Sequence, residues 1–143
     1  MYQHLLIATD GLELAGKAVD HGLALAKALG AKVTAITVTE PLVSMEEAIY
    51  PTMIVEYDKA TEANAKRVLA SVREAGGKKG LTCETVHVKN QYPAEGIVET
   101  AKAKACDLIV MASHGRRGVA KLLMGSQAAK VLAYSPIPVL VCR

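Results

Sequence analysis

Residues 107–126 read DLIVMASHGRRGVAKLLMGS, and this stretch decides the fold. The apolar run Leu108 to Met111 is bounded by a charged residue on one side and by Ala112, Ser113, His114 and Gly115 on the other. It reads as a buried strand that ends in a loop. The loop holds Gly115, Gly118 and the Gly125-Ser126 pair, and an alanine-rich segment, residues 127–133, follows directly. Ser126 is therefore the expected N-cap of a helix, with Gly125 as the hinge before it. Strand, glycine loop and helix start together suit an anion. Unpaired N–H groups and the positive end of the helix dipole point outward there, and glycine lets the main chain come close to a phosphate.

Working outward, the same alternation recurs along the chain. Residues 2–9 form a strand candidate in which Leu5, Leu6, Ile7 and Ala8 run without a polar partner face, as a strand covered on both sides does. Asp10-Gly11 ends it. Between Glu13 and Leu29 the positions Leu14, Ala18, Val19, Gly22, Leu23, Ala26 and Leu29 recur at helical spacing, and Gly30 closes the pattern. Residues 33–38 are a second, β-branched strand. Residues 39–51 break the pattern between Pro41 and Pro51 and read as a loop, with a short helical turn at Met45-Glu46-Glu47. A long helix is expected from about 52 to 75, with Tyr57, Thr61, Ala65, Val68, Leu69 and Val72 on its buried stripe and Gly76-Gly77 and Gly80 ending it. Residues 81–88 give a third strand with Cys83, Thr85 and His87 on one face. Pro93 opens a helix carrying Ile97, Val98, Ala101 and Ala105. The strand from Cys106, the helix after Ser126 and a last strand at 138–142 complete five strands and four main helices.

Such an order predicts an α/β fold: a single-domain, open, parallel five-stranded sheet with helices on both faces, of Rossmann-like type. Where the strand order reverses, a ligand crevice is expected at the carboxyl ends of the first and fourth strands. At 143 residues one domain is the default, and the core must be aliphatic because Phe and Trp are absent. Three dispersed cysteines, Cys83, Cys106 and Cys142, favour the reducing cytoplasm. No apolar run approaches the roughly 20 residues of a membrane span. A net charge of +3 without a dense basic stripe, and five Tyr as the only aromatics, argue against nucleic acid as a partner. Lys78 and Lys79 read as a solvated turn.

The motifs that are missing narrow the chemistry. Neither GxGxxG nor GxxxxGK[ST] occurs, which removes the dinucleotide fingerprint and the P-loop. CxxC and HExxH are absent as well. Ser113 beside His114 suggests a hydrolase, yet the nucleophile elbow GxSxG would need a glycine where Met111 stands. Nucleotidyl transfer would rest on fold analogy alone.

One resemblance takes in the whole chain. Ala112, two residues, Gly115, nine residues and Gly125-Ser126 resemble the G-x2-G-x9-G-[ST] signature of ATP-binding universal stress proteins, with Ala112 at the first glycine. IATDG at 7–11 resembles that family's first strand and acidic loop, and SPIPVLVCR at 135–143 its last strand. The resemblance implies an adenine nucleotide alpha hydrolase-like fold and a regulatory or stress-response role. Its ligand would be ATP or AMP, with Mg2+ as the accompanying cation, and ATP hydrolysis would be slow if it occurs at all. By the same resemblance Ala8, Thr9 and Asp10 approach the nucleotide and Val38 packs on adenine. Met111, Ala112, His114, Gly115 and Arg116, with Gly125, Ser126, Gln127 and Ala128, surround ribose and phosphates. The metal ligands are left open, although Asp10 is a chemically suitable oxygen donor; a helix-entry cap is its other reading. Arg116, Arg117 and Lys121 either raise the local potential or merely solubilise. Leu12 stands where the resembling loop often carries a hydroxyl, so a helix cap is expected to be lost. The resemblance also implies a homodimer, for which the apolar terminal strand on an open edge is suited. The alternative is a dimeric interaction module of the same fold that binds no nucleotide, which Ala112 would favour if the loop requires a positive φ at that position.

Overall fold

The structure, a computed structural model, describes residues 1–42, 51–114 and 124–143. Five strands, β1 (His4–Ala8), β2 (Lys32–Thr39), β3 (Cys83–Lys89), β4 (Leu108–Ala112) and β5 (Val139–Cys142), alternate with four helices, α1 (Glu13–Leu29), α2 (Pro51–Lys78), α3 (Pro93–Ala103) and α4 (Ser126–Tyr134). All paired strands are parallel, in the order β3-β2-β1-β4-β5. The expected α/β sheet is therefore present.

Side-chain alternation along each strand separates two cores. Leu5, Ile7, Val33, Ala35, Leu108 and Val110 meet α1 and α2 on one face, whereas Leu6, Ile36, Ile109 and Met111 meet α3 and α4 on the other. Both are aliphatic, as the composition requires. The division follows from chirality. A parallel crossover is right-handed, so β1-α1-β2-α2-β3 lays its helices on one face as the chain moves one way, and β3-α3-β4-α4-β5 lays them on the opposite face as it moves back.

Several boundaries differ from expectation. Residues 43–50, which include the expected turn at Met45, lie outside the described residues. α2 does not end at Gly76-Gly77 but continues to Lys78. Gly76 is buried against β3, and a Cβ there would collide with Cys83 Sγ. Glycine thus serves close packing at 76, while the stop falls at Gly80, whose φ is 76°. Tyr57 and Thr61 are only partly buried, so the fully buried stripe starts at Ala65. Ala105 is not helical: with φ 55° it follows the Lys104 cap of α3, and the bonds Ala105 N–H to Lys102 O and Cys106 N–H to Ala101 O close a Schellman turn. Ser126 is the first residue of α4 rather than its N-cap, which is Gly125.

The two adjacent glycines of α2 should respond oppositely to alanine. Gly76→Ala forces the Cys83 thiol aside and should destabilise by about 1–3 kcal/mol. Gly77→Ala, which meets nothing within 4 Å, should stabilise by about 0.5–1 kcal/mol, as read from urea denaturation midpoints.

Candidate functional site

The sheet parts at its centre. Pairing of β1 with β4 ends at Ile7 and Val110, whereas β1 continues along β2 to Ala8–Ile36 and β4 along β5 to Ala112–Cys142. The next amides follow their outer neighbours: Thr9 N–H donates to Ile36 O at 3.0 Å, and Ser113 N–H to Cys142 O at 2.7 Å. The chain ends of β1 and β4 are thus drawn apart where the strand order reverses, which is how an open α/β sheet makes a crevice.

On the β1 side the loop is held by its own side chains. Thr9 Oγ1 accepts from Gly11 N–H at 3.1 Å and Asp10 Oδ1 from Leu12 N–H at 2.9 Å. Asp10 therefore forms an Asx turn leading into α1, while its other oxygen makes no hydrogen bond among the described residues. Leu12 is the N-cap of α1 and contributes no side-chain cap, as expected from the missing hydroxyl. Gly11 sits at φ 82°, and a Cβ there would stand 2.5 Å from Val68 Cγ2 of α2.

On the β4 side, Gly125 N–H donates to Ser113 O at 2.6 Å and brings the start of α4 back to the strand end. A Cβ at Gly125 would lie 2.9 Å from Ser113 O, so the third motif glycine is required by backbone approach. Among the described residues no side chain caps α4. The first-turn amides of Ser126, Gln127 and Ala128 have no partner within the helix.

Other predicted site residues divide by what they can offer. Ala8 and Val38 are half-buried on the α3/α4 face, where Val38 Cγ2 lies 2.9 Å from where a Gly96 Cβ would stand. Met111 and Ala128 are buried in the same core. Ala112 is buried on the opposite face, within β4 and without a positive φ, so alanine at the first motif position strains nothing. The Gln127 side chain is occupied elsewhere, since its Oε1 accepts from Ala94 N–H at 3.1 Å and caps α3. No sequence signal pointed to that bond. Gly115, Arg116, Arg117 and Lys121 lie outside the described residues.

Ser113 and His114 do meet, with Oγ and Nδ1 3.1 Å apart. Ser113 is nevertheless buried, and no carboxylate orients the imidazole from Nε2, which has no partner among the described residues. A triad needs that third group. The groups with shifted pKa values that meet one another lie at the opposite end of the sheet. Burial, helped by Lys32, lowers the pKa of His4, whose Nε2 is 2.7 Å from Thr34 Oγ1. Burial pushes the Cys106 thiol up to about 11.

With this geometry in hand, comparison with known families matches the universal stress protein family over residues 1–143. The chain belongs to that family. It is 31% identical to universal stress protein YxiE of Bacillus subtilis across the full length of both chains. Among solved structures it resembles MJ0577 of Methanocaldococcus jannaschii with a TM-score of 0.86 and 27% identity, over 99% of this chain and 96% of that one. It also resembles a universal stress protein in complex with cAMP, with a TM-score of 0.75 and 28% identity, over 99% and 97% of the two chains.

The buried His4 sets a pH dependence. Its folded pKa is below the ordinary 6.5, so the unfolded chain takes up a proton that the fold refuses, and stability should fall as pH drops below about 6.5. Glu84 and Asp107 partly oppose the shift, and His87, lowered by its own burial, adds a similar loss. His4→Gln should flatten part of this fall between pH 7.5 and 5 in thermal denaturation; an unchanged profile would rule His4 out as its source.

Proposed function

We propose that this universal stress protein binds an adenine nucleotide, ATP or AMP, in the crevice between the carboxyl ends of β1 and β4, as a regulatory ligand in a stress response. The observation that carries the reading is the parting of β1 from β4, together with an α4 whose first turn has no side-chain cap among the described residues. Main-chain donors at a helix N-terminus favour phosphate. That a similar family member was solved with cAMP supports an adenine ligand for this chain.

Asp10 carries a carboxylate oxygen that makes no hydrogen bond among the described residues and suits ribose or Mg2+ brought in by the phosphates. Among the described residues no three His, Cys, Asp or Glu side chains gather, so the nucleotide itself would supply most of the ligands for the cation. Ala8 and Val38 offer an apolar surface to the base. Hydrolysis, if it occurs, is expected to be slow. Three free cysteines fit the reducing cytoplasm, and no helix among the described residues is long and apolar enough to cross a membrane.

Isothermal calorimetry with AMP, and with ATP in the presence and absence of Mg2+, tests the reading. Saturable binding is expected, and silence toward every adenine nucleotide would leave the nucleotide-free interaction module in its place. Ala112→Gly should bind equally well while destabilising the strand by about 0.5–1 kcal/mol, because the native alanine already has an ordinary backbone.

A homodimer is part of the same proposal. β5 is an edge strand with half-buried Val139, Leu140 and Val141, and α4 beside it exposes Leu132 and Tyr134. Sedimentation should give twice the 15.1 kDa chain mass. A species that stays monomeric at tens of micromolar would refute the dimer.

A further inference from the structure

Gly96 lies inside α3, where glycine weakens a helix relative to alanine. Its backbone is not at positive φ, so no turn geometry calls for glycine there. Packing does. A Cβ at position 96 would stand 2.9 Å from Val38 Cγ2 and 3.1 Å from Val38 Cγ1.

Turning the Val38 side chain does not relieve that contact. Two of the three substituent positions on its Cβ lie against the added carbon, so every staggered χ1 leaves at least one methyl there. Nor is α3 free to retreat. Ala94 N–H donates to Gln127 Oε1 at 3.1 Å, and Ala94, Ile97 and Ala101 are buried in the core between α3 and the sheet. The absent methyl of Gly96 is thus the space into which Val38 settles.

The register of β2 shows what Val38 borders. On the β1 side its pairing ends at Ala8–Ile36, whereas on the β3 side it runs on through Val38–Val88 to Thr39–Lys89. Val38 therefore stands two residues past the end of β1, half-buried, with Val88 on one flank and the opening beyond β1 on the other. Displaced from α3, it moves toward the crevice, because the β3 side is already filled.

We infer that Gly96 is a positioning residue that sets the width of the base subsite, by letting Val38 lie back against α3 and leave room for a flat nucleobase. The inference rests on the proposed nucleotide site, and its test separates the two.

Amide chemical-shift titrations with AMP, and with ribose 5-phosphate at millimolar concentration as the same ligand without its base, compare the wild type with Gly96→Ala. The variant should bind AMP at least about tenfold more weakly, the scale of overpacking a filled site. Its affinity for ribose 5-phosphate should not change, which a general loosening of the fold would not spare. In a Val38→Ala background, where no γ-methyl meets the added carbon, Gly96→Ala should leave AMP affinity within about twofold. Val38→Ala by itself should weaken AMP and not ribose 5-phosphate; unaltered AMP binding in that protein overturns the inference even if Gly96→Ala fails to fold. Equal AMP affinity in Gly96→Ala and the wild type, a parallel loss of both ligands, or the same loss in the Val38→Ala background would overturn the role of Gly96 while leaving the nucleotide site standing. A wild type that binds no AMP would remove the site itself.

Discussion

The handedness of parallel crossovers is the constraint on which this molecule depends. Because each connection must turn the same way, a chain that builds outward from β1 to β3 and then returns to place β4 on the other side of β1 must put its later helices on the opposite face. β1 and β4 then become neighbours whose following segments leave toward opposite faces. The amides after the two strands bond outward, Thr9 to β2 and Ser113 to β5, and the sheet opens between them. A crevice at that point follows from topology before any side chain is considered. The residues around it then determine what it can hold.

Much of this was legible because the signals were of long range and mutually consistent. Uninterrupted apolar runs such as Leu5 to Ala8 marked strands covered on both sides, and the helical spacing from Leu14 to Ala26 marked α1. Glycine proved less readable, since one residue type answers two different demands. Gly76 reads in sequence as a helix stop, yet in the fold it relieves contact with Cys83, and the sequence does not reveal the partner strand that distinguishes the two roles. Ala105 shows the converse: a left-handed helix end formed without glycine, imposed by the tight return into β4. Propensity alone places such a residue inside the helix.

At the crevice, residue types pointed to two loops but not to the atoms available there. Gln127 sits in the first turn of α4, yet its side chain serves α3. Ala112 stands where the signature has its first glycine, but it lies within a regular strand and is buried in the α1/α2 core. Both outcomes depend on contacts between segments far apart in sequence, Gln127 with Ala94 and Ala112 with the opposite helix layer. A motif read along the chain carries neither.

Gly11 limits how the acidic loop can change. Its left-handed φ disfavours any side chain, and Val68 of α2 occupies the space one would enter, so relief of either restriction leaves the other in force. Leu12, immediately after it, is 43% exposed and meets neither restriction. Variation in this loop is thereby channelled to position 12, where a polar replacement can restore a cap to α1 without disturbing the turn that aims Asp10.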